Sequence, residues 1–140
     1  MIAVRGSGRV CMRICPDNPF NDREDDDPQR TFYLLLEEVA GKILAYLHCI
    51  RFPTGRVDNI ELAQRYFHDR LVANESYSFE EAQSAIRGGE VTAVAFGRPF
   101  IANPDLLHRW RNKLPLAEFD PGTLYTPGAS GYSDYPVHGQ

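Results

Sequence analysis

The sequence predicts an α/β fold in which a parallel sheet is built from four successive βα units. Three observations support this prediction. Short apolar runs alternate along the chain with longer segments whose apolar residues recur at helical spacing. Proline, glycine and helix-capping residues separate the two kinds of segment. The 140 residues, 43% hydrophobic and 24% charged, suffice for one domain with a hydrophobic core.

Each predicted strand is a short apolar run bounded by polar or turn-forming residues. The first run ends at Pro16, which cannot donate a ladder hydrogen bond. Alternation along this run places Arg13 on one face with Cys11 and Cys15, and the more apolar residues on the other face. The predicted strands span residues 10–15, 44–50, 71–73 and 91–96.

The segments between the strands carry helix-start and helix-stop signals. Pro28 suits a first helical turn, and the acids before it suit the positive end of a helix dipole. Ser78 and Glu81 have capping-box spacing, and the Gly88-Gly89 pair ends that helix. The other predicted helices span residues 28–42, 60–67 and 104–113.

Four βα units amount to half of a TIM barrel, and 140 residues are too few for the complete barrel of about 250 residues. We therefore expect a single partial TIM-barrel domain over residues 1–140. Within it, residues 114–140 are rich in Pro, Gly and Tyr and are expected to form an extended C-terminal tail. Periodicity alone leaves a small flavodoxin-like sheet as an alternative.

Composition argues against several functional classes. The net charge of −4 disfavours nucleic acid or an anionic membrane as the main partner. No apolar run approaches the roughly 18 residues of a membrane span, and residues 1–6 do not resemble a signal peptide, so we expect a cytoplasmic protein. We interpret the three cysteines as reduced, buried thiols without a metal site, and the acidic run 22–27 as a solvated loop.

Residues 93–106 carry the clearest sign of a binding site. A short apolar run ends at Gly97, Arg98 follows, and Pro99 and Pro104 flank the residues after it. This pattern is typical of a strand that passes through a tight turn into the start of a helix. Glycine allows close backbone approach, and an Arg can bind two oxygens of an anion at once. The junction therefore predicts a phosphate site.

Arg13 lies inside an apolar strand, three residues before a proline. A charge in such a strand is costly unless it is paired. Arg13 therefore forms an internal salt bridge, reaches solvent at the strand end, or faces an anion at the C-terminal mouth of a barrel. The residues alone leave these alternatives open. His48, in the second strand, is interpreted as a histidine bonded within the barrel and not as a catalytic residue.

Taken together, these motifs resemble the C-terminal half of the old yellow enzyme family, FMN-dependent ene reductases built on a TIM barrel. Residues 13–16 are similar to the family's R-L-S-P motif, residues 97–106 to its cofactor-phosphate segment, and residues 123–125 with 131–136 to its T-F-Y and G-Y-x-D-Y-P ending. The resemblance implies strands five to eight of the barrel. It also implies hydride transfer from NADPH or NADH through FMN to an activated alkene, such as an α,β-unsaturated carbonyl, or a similar acceptor.

The resemblance implies cofactor-binding residues one by one. Arg13 would lie against the flavin ring near N1, where a fixed cation stabilises negative charge. The backbone of the segment with Glu75 and Ser76, and the turn formed by Phe96, Gly97 and Arg98, would hold the FMN phosphate. Glu75 stands where the family often has a small residue, and its carboxylate repels a phosphate unless it turns outward. Donation by the backbone N–H of Ser76 is compatible with this change.

Two aromatic residues are implied at the substrate pocket. Phe20, within Phe20-Asn21 after the first strand, and Tyr125 in the tail match pocket-lining positions of the family. Leu124 stands where the family commonly has Phe, so one aromatic wall is lost. From the residues alone, core packing or anchoring of the tail explains these aromatic side chains equally well.

The resemblance covers residues 9–136 and omits the N-terminal half of the family pattern, which carries the substrate-carbonyl clamp and the proton donor. No catalytic residue is therefore assigned. The alternative is a catalytically inactive half-barrel remnant or subunit that binds a partner chain. Open edges on the first and fourth strands predict a homodimer, pairing with a complementing N-terminal half-barrel, or poor solubility. The other expected partner is a small-molecule electron acceptor, with no nucleic acid and no membrane.

Overall fold

The computed structural model describes residues 2–20, 22 and 24–139. The chain divides into two compact units, residues 1–95 and residues 96–140. Short 3-10 turns occupy Ser7–Arg9 and Pro121–Thr123. The strands are β1 (Met12–Ile14), β2 (Leu47–Ile50), β3 (Leu71–Asn74) and β4 (Ala93–Ala95). The helices are α1 (Ile2–Arg5), α2 (Pro28–Ala40), α3 (Asn59–Phe67), α4 (Phe79–Arg87), α5 (Arg98–Ala102) and α6 (Leu106–Asn112).

The described strands form one parallel sheet in the order β1-β2-β3-β4. Each strand thus pairs with the next one along the chain, and a helix connects every pair. A flavodoxin-like sheet instead places its first strand between the second and third. The sequential order therefore excludes the flavodoxin-like alternative and is the order expected of four βα units of a barrel.

Helices α2 and α4 begin at the capping signals read from the sequence, and α3 begins at a cap that was not predicted. The Asp27 carboxylate accepts from the N–H of Arg30, and the Asp58 carboxylate caps α3. Ser78 and Glu81 form the predicted capping box at the start of α4. Each such cap contributes about 1 kcal/mol to helix stability.

One face of the sheet carries the hydrophobic core. Alternate strand residues on this face pack against the inner sides of the helices, while the residues between them point to the opposite face. Full burial of large side chains provides the main stabilisation of the unit. The core includes Ile14, Leu47, Cys49, Leu71 and Ala73 of the strands and Leu36, Ile60, Ala63, Phe67 and Ala85 of the helices.

The cysteines differ from the expectation of three buried thiols. Cys49 is buried, and burial raises its pKa to about 12. Cys15 is only half-buried and Cys11 is exposed. The reason is the strand alternation itself, which places Cys11 and Cys15 on the sheet face that the helices leave uncovered. None of the three, all within the described residues, forms a disulfide.

The segment after α6 turns repeatedly where an extended tail was expected. A 3-10 turn at Pro121–Thr123 is followed by further turns around residues 129–133. Asp120 anchors the first turn by accepting from the N–H of Gly122. Among the described residues, no helix combines the length and apolar character needed to cross a bilayer.

Candidate functional site

A row of polar groups crosses the uncovered face of the sheet. Arg13 of β1 donates from Nη2 to the Oδ1 atom of Asn74 in β3, at 3.0 Å. Its Nη1 atom lies 3.2 and 3.3 Å from the two ring nitrogens of His48 in β2. Asn74 in turn donates to the carbonyl of Ala95 in β4, at 2.7 Å. The guanidinium is therefore held in place by side chains from two neighbouring strands.

The partners of Arg13 among the described residues are neutral. Burial, and next the positive charge of Arg13, lower the pKa of His48 from its usual 6.5, so the ring is neutral near pH 7 and can accept from Arg13. Asn74 carries no charge. Arg13 itself is exposed. These contacts orient the Arg13 cation without cancelling its charge, which favours the anion-binding interpretation over an internal salt bridge.

The turn after β3 has an unusual backbone. Glu75 and Ser76 have φ angles of 72° and 56°, the left-handed region that favours glycine. Each such residue costs roughly 1–2 kcal/mol, and strained residues of this kind concentrate at functional sites. Glu75 is half-buried and Ser76 is exposed. The family pattern of small residues at these two positions therefore has a conformational reason in this chain.

In the second unit, Gly97 stands directly before α5. Its φ of −101° is accessible to any residue, and a Cβ atom added there would meet no atom within 4 Å. Neither the backbone conformation nor the packing of the described residues requires a glycine. The position therefore fits a backbone that must admit a ligand from outside the chain.

The neighbours of Gly97 differ in character. Phe96 packs edge-on against Trp110, with ring centroids 4.8 Å apart, so its side chain is structural. Arg98 is exposed, and its guanidinium carbon lies 5.7 Å from the ring centroid of Phe119. This distance is at the outer end of the cation–π range.

Asn103, in the same motif, has a structural role. It is fully buried, and its amide donates to the carbonyls of Pro99 and Ala117, both at 3.0 Å. Its Oδ1 atom accepts from the N–H of Ala117 at 2.8 Å. The Asn103 side chain thus both donates to and accepts from the backbone of Ala117, as the backbone of an adjacent strand would. These bonds explain why an asparagine occupies position 103 without invoking a bound ligand.

Arg109 holds the tail at two further points. It is buried and donates to Asp105 at 2.7 Å and to the carbonyls of Pro115 and Pro136 at 2.9 and 3.1 Å. The other oxygen of Asp105 accepts from the N–H of His138 at 2.9 Å. The pKa of Asp105 is lowered, chiefly by that N–H and further by Arg109. No role was expected for Arg109; its spacing of four residues from Asp105 on a helix was the available signal.

The two residues implied at the substrate pocket are exposed. Phe20 belongs to the first unit with 57% of its surface exposed, and Tyr125 belongs to the second with 92% exposed. Tyr125 also has a left-handed φ of 62°. Near it, a Cβ added to Gly131 would collide with the side chain of Thr123, so these two tail motifs are in contact. Asn21, beside Phe20, lies outside the described residues.

The structure brings some of the expected residues together. Arg13 bonds to Asn74, which immediately precedes Glu75 and Ser76, so these residues share one end of the sheet. Phe96, Gly97, Arg98 and Tyr125 belong to the second unit. No role was expected for Asn74. A polar residue at the end of a strand, on the same face as Arg13, was the signal that could have identified it.

Comparisons with known proteins agree with this picture. A protein of Leishmania infantum, named as a probable flavin mononucleotide-dependent alkene reductase, is 37% identical over 139 residues, which cover 97% of this chain and 38% of that protein. The old yellow enzyme from Trypanosoma cruzi superposes with a TM-score of 0.89 at 38% identity, covering 98% of this chain and 37% of the other. Morphinone reductase in complex with tetrahydroNAD gives a TM-score of 0.84 at 37% identity, covering 97% of this chain and 38% of the other. No protein-family model matches.

A sequential parallel βα sheet with a fixed cation at the carboxyl ends of its strands is the arrangement expected of part of a TIM barrel. The chain belongs to the old yellow enzyme family. The predicted half-barrel is confirmed by the sequential parallel sheet and by its match to part of these structures. The chain spans about 38% of the length of the relatives it matches.

Proposed function

We propose that this chain forms the flavin-holding part of an FMN-dependent oxidoreductase of the old yellow enzyme type. The whole protein would transfer hydride from NADPH or NADH to an activated alkene, such as an α,β-unsaturated carbonyl, or a similar acceptor. The observation that carries the proposal is Arg13, a cation held on the uncovered sheet face by neutral partners. The name of the Leishmania relative and the tetrahydroNAD complex of morphinone reductase support it.

The residues present fit FMN. When bound, FMN supplies the hydride chemistry between the nicotinamide and the acceptor. Arg13 would place positive charge against the electron-rich edge of the flavin ring, where such charge is stabilising. Gly97 would admit the phosphate close to the backbone, and Arg98 would donate two hydrogen bonds to its oxygens. Ser76 would contribute its backbone N–H.

Glu75 opposes phosphate binding through its charge. Two negative groups close together repel each other, although solvent weakens the repulsion between exposed groups. The positive φ of Glu75 directs its side chain differently from that of an ordinary strand residue. We therefore assign Glu75 a backbone role in the turn, and expect its carboxylate to point away from the phosphate.

Phe20 and Tyr125 would line the substrate pocket. Large aromatic side chains that are mostly exposed within their own unit have apolar area available to cover a planar ligand. Leu124 offers an aliphatic surface where Phe is common in the family, so this pocket would have one aromatic wall fewer.

Titration of the purified chain with FMN, followed by quenching of flavin fluorescence, tests the proposal. Arg98→Ala should weaken FMN binding by about tenfold or more, because a charge-assisted hydrogen bond contributes roughly 1.5–3 kcal/mol. Gly97→Ala should weaken binding while leaving thermal stability unchanged, since its Cβ would meet no atom of the described residues within 4 Å. Arg87→Ala, an exposed change on α4, is the matched control. Equal FMN affinity in wild type and Arg98→Ala would contradict the phosphate role.

A second candidate is a catalytically inactive half-barrel that binds a partner chain. It is favoured by the edge positions of β1 and β4 in the sheet. The same titration distinguishes the two candidates. Absence of FMN binding at saturating concentrations, together with a stable complex with an N-terminal half-barrel, would favour the second.

A further inference from the structure

We propose that Arg51 is a positioning residue that holds the turn of residues 74–78 in its strained conformation. The turn contains Glu75 and Ser76, whose backbone N–H groups are the proposed phosphate donors, so the inference rests on the proposed function. Neither the sequence motifs nor the family resemblance pointed to Arg51.

Arg51 directly follows β2 and contacts residues on both sides of the turn. Its backbone N–H donates to the carbonyl of Asn74 at 2.8 Å. Its guanidinium carbon lies 3.7 Å from the ring centroid of Tyr77, a close cation–π contact. Its Nη2 atom donates to the Glu81 carboxylate at 3.3 Å. Arg51 thus links the end of β3, Tyr77 within the turn and the first turn of α4.

These contacts of Arg51, called the Arg51 clamp below, have a physical reason. Glu75 and Ser76 both have left-handed φ angles, and strained residues persist only where their surroundings fix them. The strand ladder and the contact with Arg51 fix the start of the turn at Asn74. The Ser78–Glu81 capping box fixes its end. Tyr77 lies between these two anchors, and the guanidinium of Arg51 packs on its ring.

The Arg51 clamp buries polar groups, and this costs stability. The Nε atom of Arg51 and the hydroxyl of Tyr77 are both buried without a hydrogen-bond partner in the described part of the chain. Such groups are disfavoured for stability alone and call for a specific explanation. Burial also raises the pKa of Tyr77 to about 12, so the ring that meets the guanidinium carries no charge at neutral pH. We infer that Arg51 and Tyr77 are buried at this cost because their contact holds the turn in its conformation.

Arg51 also offsets a negative charge beside the turn. The Glu81 carboxylate accepts from the N–H of Ser78 and from Arg51, and these contacts lower its pKa in that order of importance. It is therefore ionised at neutral pH, close to the proposed phosphate donors along the chain. The paired cation reduces the repulsion that an incoming phosphate would meet.

Comparison of FMN with riboflavin, which lacks the phosphate, tests the proposal. Arg51→Met should weaken FMN binding by about tenfold and leave riboflavin binding unchanged, because only the phosphate depends on the turn. Arg51→Lys should retain part of the FMN affinity, since an ammonium can still pair with Glu81 but cannot stack as a planar group. Arg87→Met, an exposed change on α4, is the control and should alter neither affinity.

Hydrogen exchange of the Ser76 amide gives a readout independent of FMN. In Arg51→Met the Ser76 amide should exchange faster, while the amides of α3 keep their protection. Equal losses of FMN and riboflavin affinity, or wild-type affinity for both, would overturn the proposal. If wild type does not distinguish FMN from riboflavin, the proposed function fails; unchanged Ser76 exchange would then overturn the positioning role as well. If Arg51→Met does not fold, Tyr77→Leu removes the stacking surface and should give the same exchange result.

Discussion

At the scale of single residues, the arginine and histidine on the uncovered face depend on each other. Arg13 donates to a neutral ring of His48, and its charge helps to keep that ring neutral. A protonated His48 could not accept from Arg13 and would place a second positive charge beside it. Because the folded-state pKa of His48 lies below 6.5, the unfolded chain binds a proton more readily. The titration of His48 therefore lowers the free energy of unfolding as pH falls through 6.5 towards the lowered pKa.

Removing the charge of Arg13 should raise the pKa of His48. In Arg13→Met the burial of His48 remains, so we expect the pKa to move upward without exceeding the usual 6.5. Arg13→Lys keeps a positive charge nearby and should keep the pKa low. Titration of the His48 ring signals by NMR measures both. An unchanged pKa in Arg13→Met would show that Arg13 does not act on the ring.

At the scale of elements, α6 and the residue before it hold the tail through polar contacts. Arg109 is the central residue of α6, buried and bonded to two tail carbonyls from opposite ends of the segment after α6. Asn103 adds a third attachment at Ala117. These bonds help to hold the tail, since a hydrogen bond from a charged donor contributes roughly 1.5–3 kcal/mol.

Arg109→Met should therefore release the tail. We expect the second unit to lose about 2 kcal/mol or more of stability, because two tail carbonyls lose hydrogen bonds from a charged donor, each worth roughly 1.5–3 kcal/mol. Hydrogen exchange and limited proteolysis over residues 115–138 should both become faster. Arg111→Met removes an exposed charge from the same helix and should change the stability by less than about 0.5 kcal/mol. Equal protection of the tail in the two variants would contradict the role assigned to Arg109.

The elements also show what the sequence could predict. Ser78, Glu81 and Asp27 act through neighbours along the chain, so the helix starts were readable from local patterns. The contacts of Arg13 with His48 and Asn74 join residues 35 and 61 positions apart. Such contacts depend on strand register, which alternation alone does not determine. The order β1-β2-β3-β4 had to be seen before these residues could be assigned to one site.

At the scale of the whole molecule, the sheet has an unpaired edge on each side. β1 and β4 are the end strands of the described sheet, and Arg13, His48 and Asn74 lie on a face that no described helix of the first unit covers. Unpaired strand edges are templates for further pairing. A second copy or a complementing half-barrel would pair with them and cover the same face, as proposed for the partners of this chain.

The isolated chain should accordingly associate. Size-exclusion chromatography with light scattering should give a mass well above the 15.9 kDa of one chain. Ala93 lies on the edge strand β4, opposite Val72, on the uncovered face. Ala93→Lys should shift the mass towards the monomer, because burying a lysine charge in an edge-to-edge or face-to-face contact is unfavourable. Ser84→Lys puts the same charge on the exposed side of α4 and should leave association unchanged. A well-behaved wild-type monomer would show that the open edges are protected in some other way, and partner pairing would then lose its physical basis.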